Sequence, residues 1–279
     1  MMIGQKNLIK QIDWMCKSKS FPRFSIIIGE NGKQEIELAN YIANHLNLIT
    51  VLLEDTKIDT IRQMITDSYK INTSVMYVIN NADDMSIFAK NSLLKITEEP
   101  PNNAYFIMFL NDLNNTLDTI KSRATVFTME PYSRKELIEY FDANWETSDE
   151  YKDIVMSLSA TPNEVDILQT QVEPGTADKF YDYVQKVVDN IAIVSGANSF
   201  KIADKIALKD ESDKYDLRMF WKACCKVFHD KAMERNTDNF LGLTQAMIRT
   251  SYVLSRLSVR GVNKQMLFDS WILSIREVL

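Results

Sequence analysis

Five short runs of β-branched and aromatic residues, separated by stretches with helical spacing, fill the first 131 residues of this chain. This alternation constrains the fold most, because strands that alternate with helices form parallel sheets with helices on both faces. The runs that we expect to be strands are Phe24–Ile28, Ile49–Leu53, Val75–Ile79, Tyr105–Leu110 and Thr125–Met129. The sequence therefore predicts an α/β domain over residues 1–131, with a parallel five-stranded sheet and its chemistry at the carboxyl ends of the strands.

Strand signals stop after the fifth run, and the remainder is predicted to be helical. Ser133, followed three residues later by Glu136, predicts a capping box at the start of a small helical domain over residues 132–174. The Pro-Gly pair at 174–175 predicts a linker. Residues 175–279 show helical spacing without proline, which predicts an all-helical third domain. Only seven glycines and six prolines occur in 279 residues, as expected of a helix-rich chain with short connections.

Charge and cysteine content exclude several classes of protein. A net charge of −6 argues against a stand-alone nucleic-acid binder coated in basic residues. The three cysteines, Cys16, Cys224 and Cys225, are too few and too scattered for a disulfide framework or a four-ligand zinc site. We expect Cys224 and Cys225 to be small hydrophobes in a helix. The sequence shows no secretory leader and no run of ~18 apolar residues, so we expect a cytoplasmic protein with no membrane partner.

The turn after the first strand lies where a phosphate-binding P-loop, G-x-x-x-x-G-K-[ST], would be found. The two glycines Gly29 and Gly32 are present, but the motif glycine, lysine and hydroxyl are replaced by Gln34, Glu35 and Ile36. A carboxylate ~4 Å from a phosphate charge repels it by about 4 kcal/mol at an effective dielectric constant of 20. The alternative is an ordinary strand–turn–helix in which Glu35 complements the helix dipole. Neither interpretation predicts a bound nucleotide.

The third strand ends where a nucleotide hydrolase carries an Asp that holds Mg²⁺ and a Glu that activates water. This chain has Asn80 and Asn81 at those positions. Neutral amides do not replace carboxylates on a hard cation that prefers anionic oxygen ligands, so we expect no Mg²⁺ site. Asp83 and Asp84 lie beyond the strand, and we expect them to cap the next helix, which is predicted over 86–97.

Six segments occur in order along the chain: Ile3–Gln5, the loop at Gly29, Asp59–Met64, Val75–Met85, Asn91–Pro101 and Thr119–Ala124. The most diagnostic parts are the Leu-Leu-Lys-x-x-Glu-Glu-Pro-Pro stretch and the Ser-Arg pair. This order resembles the clamp-loader AAA+ proteins of bacterial DNA polymerase III, most closely the delta-prime subunit. The resemblance covers the first 130 residues well and the next 40 loosely, and it implies an AAA+ domain, a helical lid and a helical collar.

The resemblance also implies a role for one arginine. In that family a Ser-Arg-Cys motif supplies an arginine finger to the ATP of the neighbouring subunit. Carried over, the finger is Arg123 with Ser122 beside it, and Ala124 replaces the cysteine. From the residue alone, a surface salt bridge at a strand start is the alternative. The zinc-binding cysteines of the family are absent between the P-loop helix and the third strand, so no zinc is expected.

These observations predict a non-hydrolysing clamp-loader subunit without bound ATP, Mg²⁺ or zinc and without ATPase activity of its own. The implied partners are the loader's ATPase subunits, a delta-like subunit, the sliding clamp and primer–template DNA within the assembly. Lys90 and Lys95 are charges that could approach DNA phosphates, although a solvated helix face also accounts for them. Two other functions stay open: an active ATPase with an aberrant P-loop, and a helicase-loader-like or phage-encoded adaptor that binds a host replication machine.

Overall fold

The structure, a computed structural model, describes residues 2–29, 32–146, 149–170, 177–193, 217–234, 239–257 and 262–279. The chain divides into two compact units. The first comprises Met1–Tyr140 and Thr161–Asn163, and the second comprises Phe141–Ala160 and Glu164–Leu279. The three-domain division at residues 131 and 174 stays a prediction, and the predicted linker at 174–175 lies outside the described residues.

The first unit is built on a parallel five-stranded sheet, as predicted. Its strands lie in the order β2-β3-β4-β1-β5, and every neighbouring pair is parallel. Because neighbouring strands are parallel, each connection between successive strands must cross one face of the sheet, and here each connection contains a helix. The strands are β1 Phe24–Ile28, β2 Ile49–Leu52, β3 Val75–Ile79, β4 Ala104–Leu110 and β5 Thr125–Thr128.

Helices and two short 3₁₀ turns complete this unit. The 3₁₀ turns are Ala82–Asp84 and Leu113–Asn115. The sequence predicts a single helix over 86–97, whereas the structure has two, α4 and α5, which meet at Leu93. The helices of the unit are α1 Lys6–Lys17, α2 Lys33–Leu46, α3 Ile58–Lys70, α4 Ile87–Ser92, α5 Leu94–Glu98, α6 Asp118–Lys121 and the first part of α7 Arg134–Asn144.

Alternate residues of the central strands face two separate apolar layers, because successive side chains of a strand point to opposite faces of the sheet. In β3, Met76 and Val78 face α1 and α2, whereas Val75, Tyr77 and Ile79 face α3, α4 and α5. These strands are therefore buried on both sides, which explains their continuous apolar sequence. The prediction of helices on both faces is confirmed.

The second unit is helical in its described residues. Its core includes tilted and edge-on aromatic rings from α11 and α13, formed by Phe220, Trp221, Phe268 and Trp271. The indole N–H of Trp271 donates to Thr250 Oγ1 of α12 at 2.9 Å. No helix among the described residues has the length and apolarity needed to cross a bilayer. Beyond the end of α7, the helices are α8 Asp149–Leu158, α9 Pro162–Thr170, α10 Ala177–Ile193, α11 Leu217–Met233, α12 Phe240–Arg256 and α13 Lys264–Arg276.

Candidate functional site

The turn between β1 and α2 lies at the carboxyl edge of the sheet, where the sequence places the site. Gly29 continues the sheet for one residue, since its N–H donates to the carbonyl of Leu110 at 2.9 Å. Gly32 is the N-cap of α2, with an extended backbone. The loop is therefore held by strand pairing on one side and by a 14-residue helix on the other.

Glu35 fills the space inside this loop. Its Oε2 accepts a hydrogen bond from the backbone N–H of Gly32 at 2.7 Å, and only 4% of the residue is exposed. A Cβ atom on Gly29 would lie 2.7 Å from Glu35 Oε1 and 3.1 Å from its Cγ. The carboxylate thus lies between the two glycines and bonds one of the N–H groups that helix starts leave unpaired. The Glu35 side chain therefore lies at the N-terminus of α2, where the N–H groups of a helix can bind anions.

The neighbouring Gln34 ties the loop to the start of the chain. Its side-chain oxygen accepts from the N–H of Ile3 at 2.9 Å. Two residues on, the amide of Gln5 donates to the carbonyl of Glu130 at 2.8 Å and accepts from the N–H of Glu130 at 2.6 Å. Gly4 and Gln5 reach this position through left-handed backbone angles, φ 64° and 57°. The Ile3–Gln5 motif therefore fastens the N-terminal segment beside the loop and the end of β5.

A pocket of about 180 Å³ remains beside the filled loop. It is smaller than the ~300–1,000 Å³ of pockets that hold drug-sized ligands. Asn163 closes the loop at the Gly32 side, where an added Cβ would lie 2.8 Å from that of Asn163. A buried carboxylate, a bulky Gln34 and an apolar Ile36 do not fit the phosphates of a nucleotide. The pocket is lined by Gly29, Gln34, Glu35, Met129–Tyr132 and Thr161–Asn163.

The two asparagines after β3 have different environments. Asn80 Oδ1 is buried and accepts no hydrogen bond from the part of the chain that the structure describes. Asn81 adopts the left-handed conformation, φ 50°, and precedes the 3₁₀ turn Ala82–Asp84. Asparagine is among the few residues that tolerate this backbone geometry, which gives a conformational reason for the residue type at position 81.

The predicted capping role of Asp83 and Asp84 is wrong. Ser86 caps α4 with its own hydroxyl, which accepts from the N–H of Ala89 at 3.2 Å. Asp83 instead accepts from the N–H of Asn111 at 2.8 Å and from the side chain of Asn115 at 2.7 Å. It therefore braces the turn that follows β4, because the carboxyl ends of β3 and β4 are adjacent in the sheet.

Lys90 is neither a DNA-facing charge nor part of a solvated helix face. Only 4% of it is exposed, and its ammonium donates to the backbone carbonyls of Asn115 and Asp83. Lys95 is exposed and lies over the ring of Tyr69, with Nζ 5.2 Å from the ring centroid. The two lysines, five residues apart, thus have different functions: Lys90 holds the turn after β4, and Lys95 covers an aromatic ring.

Arg123 lies at the opposite edge of the sheet, two residues before β5 begins. Its Nη1 donates to the carbonyl of Thr119 at 2.9 Å and to Ser122 Oγ at 3.3 Å. Its Nη2 forms an ion pair with Glu98 Oε1 at 2.9 Å, and 38% of the arginine side chain is exposed. The salt bridge that the residue alone suggests is therefore present, on a guanidinium that stays accessible.

Glu98, the partner of Arg123, was not identified from the sequence. It ends α5, is 53% exposed, and belongs to the Glu-Glu-Pro-Pro stretch that carries the resemblance. The sequence offered one signal for this contact: acidic residues in the Glu-Glu-Pro-Pro stretch and an arginine in the Ser-Arg pair. Glu98 and Arg123 are 25 positions apart. Their adjacency depends on the packing of α5 against α6, which periodicity does not reveal.

The cysteines are consistent with a packing role. Cys224 and Cys225 both lie on α11, and burial raises the pKa of the Cys224 thiol well above its ordinary value. Within the described ranges, no three His, Cys, Asp or Glu side chains come together as a metal centre would require.

Comparisons with known proteins match both the motifs and the fold. A family model described as DNA polymerase III, delta subunit, matches residues 49–133. Replication factor C subunit 3 of Schizosaccharomyces pombe is 27% identical over 154 residues, which are 50% of this chain and 45% of that protein. The chain thus spans less than half the length of this curated relative.

Two solved structures share the fold. A gamma subunit-related protein of DNA polymerase III from Thermotoga maritima superimposes with a TM-score of 0.53 at 14% identity, over 96% of this chain and 99% of that one. The RuvB Holliday junction branch migration motor of Thermotoga maritima gives a TM-score of 0.50 at 15% identity, over 74% of this chain and 83% of the other. At these identities the likeness shows the fold alone: an AAA+ α/β domain followed by a helical region.

The family match includes the segments that end in Met64, Met85, Pro101 and Ala124, but not the loop at Gly29. It therefore rests on the part of the chain that contains Glu98 and Arg123, and it is independent of the altered P-loop. Residues 49–133 of this chain are therefore similar to the DNA polymerase III delta-subunit family, within the same segments that carry the resemblance found in the sequence.

Proposed function

We propose that this chain is a clamp-loader subunit in DNA replication that binds no nucleotide and supplies Arg123 to the ATP of a neighbouring subunit. The similarity of residues 49–133 to the DNA polymerase III delta-subunit family, and of about half of the chain to a replication factor C subunit, supports the replication role. One structural contrast supports the division of labour: the chain's own loop contains the carboxylate of Glu35, whereas the guanidinium of Arg123 is exposed at the other edge of the sheet.

The position of Arg123 favours action on another subunit rather than on the chain's own loop. Ser25 pairs with Thr125 in the parallel β1–β5 ladder, so Arg123 lies level with the start of β1. Gly29 follows the end of β1, about six residues further along the sheet. At ~3.3 Å per residue this separation is about 20 Å, longer than an arginine side chain extends. This separation supports a nucleotide that is bound by a different chain.

The absence of a hydrolytic role follows from three substitutions that act on one reaction. Hydrolysis of ATP requires a loop that binds phosphate, an anionic ligand for Mg²⁺ and a group that positions water. Glu35 replaces the phosphate-binding lysine, and Asn80 and Asn81 replace the two carboxylates. Each change removes a different requirement, so correcting one of them would not restore activity. The proposed chain therefore contributes to hydrolysis only through its neighbour.

The remaining partners extend this proposal to the whole assembly. The second, helical unit would form the collar that joins subunits into a ring, together with a delta-like subunit. The completed ring would load a sliding clamp onto primer–template DNA. These partners are proposed from the similarity of residues 49–133 to the clamp-loader family, and co-purification of the chain with a loader ATPase and a clamp is the observation that would support them. Capture of a helicase or another host replication protein in place of the loader would favour the adaptor function.

The decisive experiment measures ATP turnover by a complex reconstituted from this chain and the clamp-loader ATPase subunits of its source organism. Replacing Arg123 with Ala should lower turnover at the site that the arginine completes by about 10³-fold, the lower end of what an arginine finger contributes. Assembly, followed by size-exclusion chromatography, should be unchanged. Arg134→Ala removes an exposed arginine at the start of α7 and should leave turnover as in the wild type. Unchanged turnover in the Arg123→Ala complex would refute the trans role.

The absence of nucleotide binding has its own test. Labelled ATP with Mg²⁺ should show no saturable binding to the isolated chain up to millimolar concentration. Micromolar binding would favour the active ATPase with an aberrant P-loop, and would leave the role of Arg123 to be judged from the complex alone.

A further inference from the structure

Arg123 is held from two sides by groups of its own chain. From its own segment, the Thr119 carbonyl and the Ser122 hydroxyl accept from Nη1 at 2.9 and 3.3 Å. From the end of α5, Glu98 Oε1 lies 2.9 Å from Nη2. Two different terminal nitrogens are thus bonded to two different elements of the fold.

This arrangement has a geometric consequence for the side chain. The guanidinium is planar and its five N–H donors lie in a fixed fork. Fixing both terminal nitrogens fixes the orientation of the plane, which a single contact would leave free to rotate. The three bonds described use three of the five N–H donors. The Arg123 side chain is 38% exposed, so its remaining donors can reach an anion outside the chain.

Stability alone gives little reason for the Glu98 contact. Both side chains are more than a third exposed, and ion pairs between exposed residues contribute little to folding because solvent screens them. An arginine without such contacts populates many rotamers, and selecting one when a neighbour docks costs conformational entropy. Restraint before docking removes part of this cost, in the same way that preorganised groups assist catalysis elsewhere.

We propose that Glu98 is a positioning residue that orients the Arg123 guanidinium toward the nucleotide of the neighbouring subunit. This inference rests on the proposed function, since it assigns Glu98 a role only if Arg123 acts in trans. Glu98 does not touch the nucleotide; it acts through Arg123. The Glu-Glu-Pro-Pro stretch and the Ser-Arg pair then contribute to one functional site, because they come together where α5 packs against α6.

The test compares three variants in the reconstituted complex and measures kcat and KM for ATP. Glu98→Ala should lower kcat about three- to tenfold with KM nearly unchanged, because the finger is still present but less often oriented. Glu98→Gln should retain most of the activity, since its amide oxygen still accepts from Nη2. Glu99→Ala is the matched control: the adjacent glutamate is exposed, its carbonyl rather than its carboxylate accepts from Tyr69, and its loss should have no effect.

A double variant separates positioning from a merely structural effect. If Glu98 acts through Arg123, adding Glu98→Ala to Arg123→Ala should lower kcat no further, so that the two effects are not additive. Additive effects, an unchanged or increased kcat in Glu98→Ala, or a Glu98→Gln variant as slow as Glu98→Ala would each overturn the inference. An Arg123→Ala variant with normal turnover would instead refute the proposed function. The two failures are therefore distinguishable.

Discussion

The loop after β1 and the corner before β5 belong to one domain and one pair of neighbouring strands, yet they differ in what occupies them. The loop encloses a carboxylate from its own helix, and the residue is 4% exposed. The corner presents a guanidinium that is braced by carbonyl, hydroxyl and carboxylate groups but stays open to solvent. At the loop, the Gly32 N–H is paired with the Glu35 carboxylate of the same chain. At the corner, the contacts described for Arg123 use three of its five N–H donors.

Under the proposed function, this difference means that one sheet has lost a nucleotide site and kept a contact site. Residues at the carboxyl edge and at the amino edge are separated by the length of the strands, so substitutions at one edge leave the other intact. The same strands position both, because β1 and β5 run parallel and in register from Ser25–Thr125 to Ile28–Thr128. The comparison can be tested by exchanging or removing the groups that make the two ends different.

After Arg123→Ala, the largest effect is expected from Arg123→Lys in the reconstituted complex. Lysine keeps the positive charge, but its ammonium lacks the planar fork that fixes the direction of each donor, so it does not reproduce the contacts with Thr119, Glu98 and a phosphate. We expect ATP turnover at the completed site to fall about 100-fold, which is a smaller loss than the 10³-fold or greater loss expected of the alanine variant. The steady-state rate at saturating ATP measures this. Wild-type turnover in the lysine variant would mean that charge alone is sufficient and that the open corner has no special geometry.

The next effect concerns the closed end. Replacing Glu35 with Ala leaves the buried N–H of Gly32 without its carboxylate acceptor, which should lower the free energy of unfolding by about 2 kcal/mol. Chemical denaturation followed by circular dichroism measures the change. Asn40→Ala, an exposed substitution on the same helix, is the control and should be neutral or slightly stabilising. A Glu35→Ala protein as stable as the wild type would show that the carboxylate does not hold the loop.

A smaller effect tests whether Glu35 fills the loop. Gly29→Ala introduces a Cβ 2.7 Å from Glu35 Oε1 and 2.7 Å from Met129 Sδ, both at the ends of flexible side chains. We expect a loss of about 1 kcal/mol in the free energy of unfolding. In a Glu35→Ala background, one of the two close contacts is gone, so Gly29→Ala should be about 0.5 kcal/mol less destabilising. Strict additivity of the two substitutions would contradict the filling of the loop by Glu35.

The smallest effect comes from a similar bond that is exposed. Glu136 Oε2 accepts from the N–H of Ser133 at 2.8 Å, as Glu35 does from Gly32, but at the surface. Hydrogen bonds from the backbone and hydroxyl of Ser133 hold the pKa of Glu136 below its usual value. Glu136→Gln should lower the free energy of unfolding by about 0.5 kcal/mol at pH 7, less than Glu35→Ala does.

The pH dependence of that variant has a defined sign. A carboxylate with a lowered pKa stabilises the folded state fully above its unfolded pKa, near ~4.3, and loses this contribution as the pH falls through its folded pKa. The stability difference between the wild type and Glu136→Gln should therefore shrink below about pH 4. A difference that stays constant from pH 7 to pH 3 would contradict the role of the charge.

The fold was largely predictable because the central strands are continuous apolar runs in the sequence. β3 and β4 are buried on both faces, so nearly every residue is apolar and the runs are unmistakable in the sequence. Helix α1 was not predicted, although Leu8, Ile12, Met15 and Cys16 recur at helical spacing and pack against the core. The break between α4 and α5 was missed because Leu93 keeps helical dihedrals, and neither glycine nor proline marks the boundary.

The site was predictable in its residues but not in its contacts. The replacement of the motif lysine by Glu35 is visible in the sequence, and the capping box at Ser133 was predicted and is confirmed. The approach of Asn163 to Gly32 was not, because 131 residues separate them and only the folded chain brings them together. Lys90 was misinterpreted because a charged residue in an amphipathic helix is usually solvated. In this chain its ammonium is buried and donates to two backbone carbonyls.

The carboxylate inside the loop also determines how the subunit responds to its surroundings. A nucleotide comes and goes with its concentration, but Glu35 is attached to the helix whose first turn it bonds, so its occupancy does not vary with the supply of ATP. If the chain has the proposed function, this loop stays filled while neighbouring subunits bind and hydrolyse ATP.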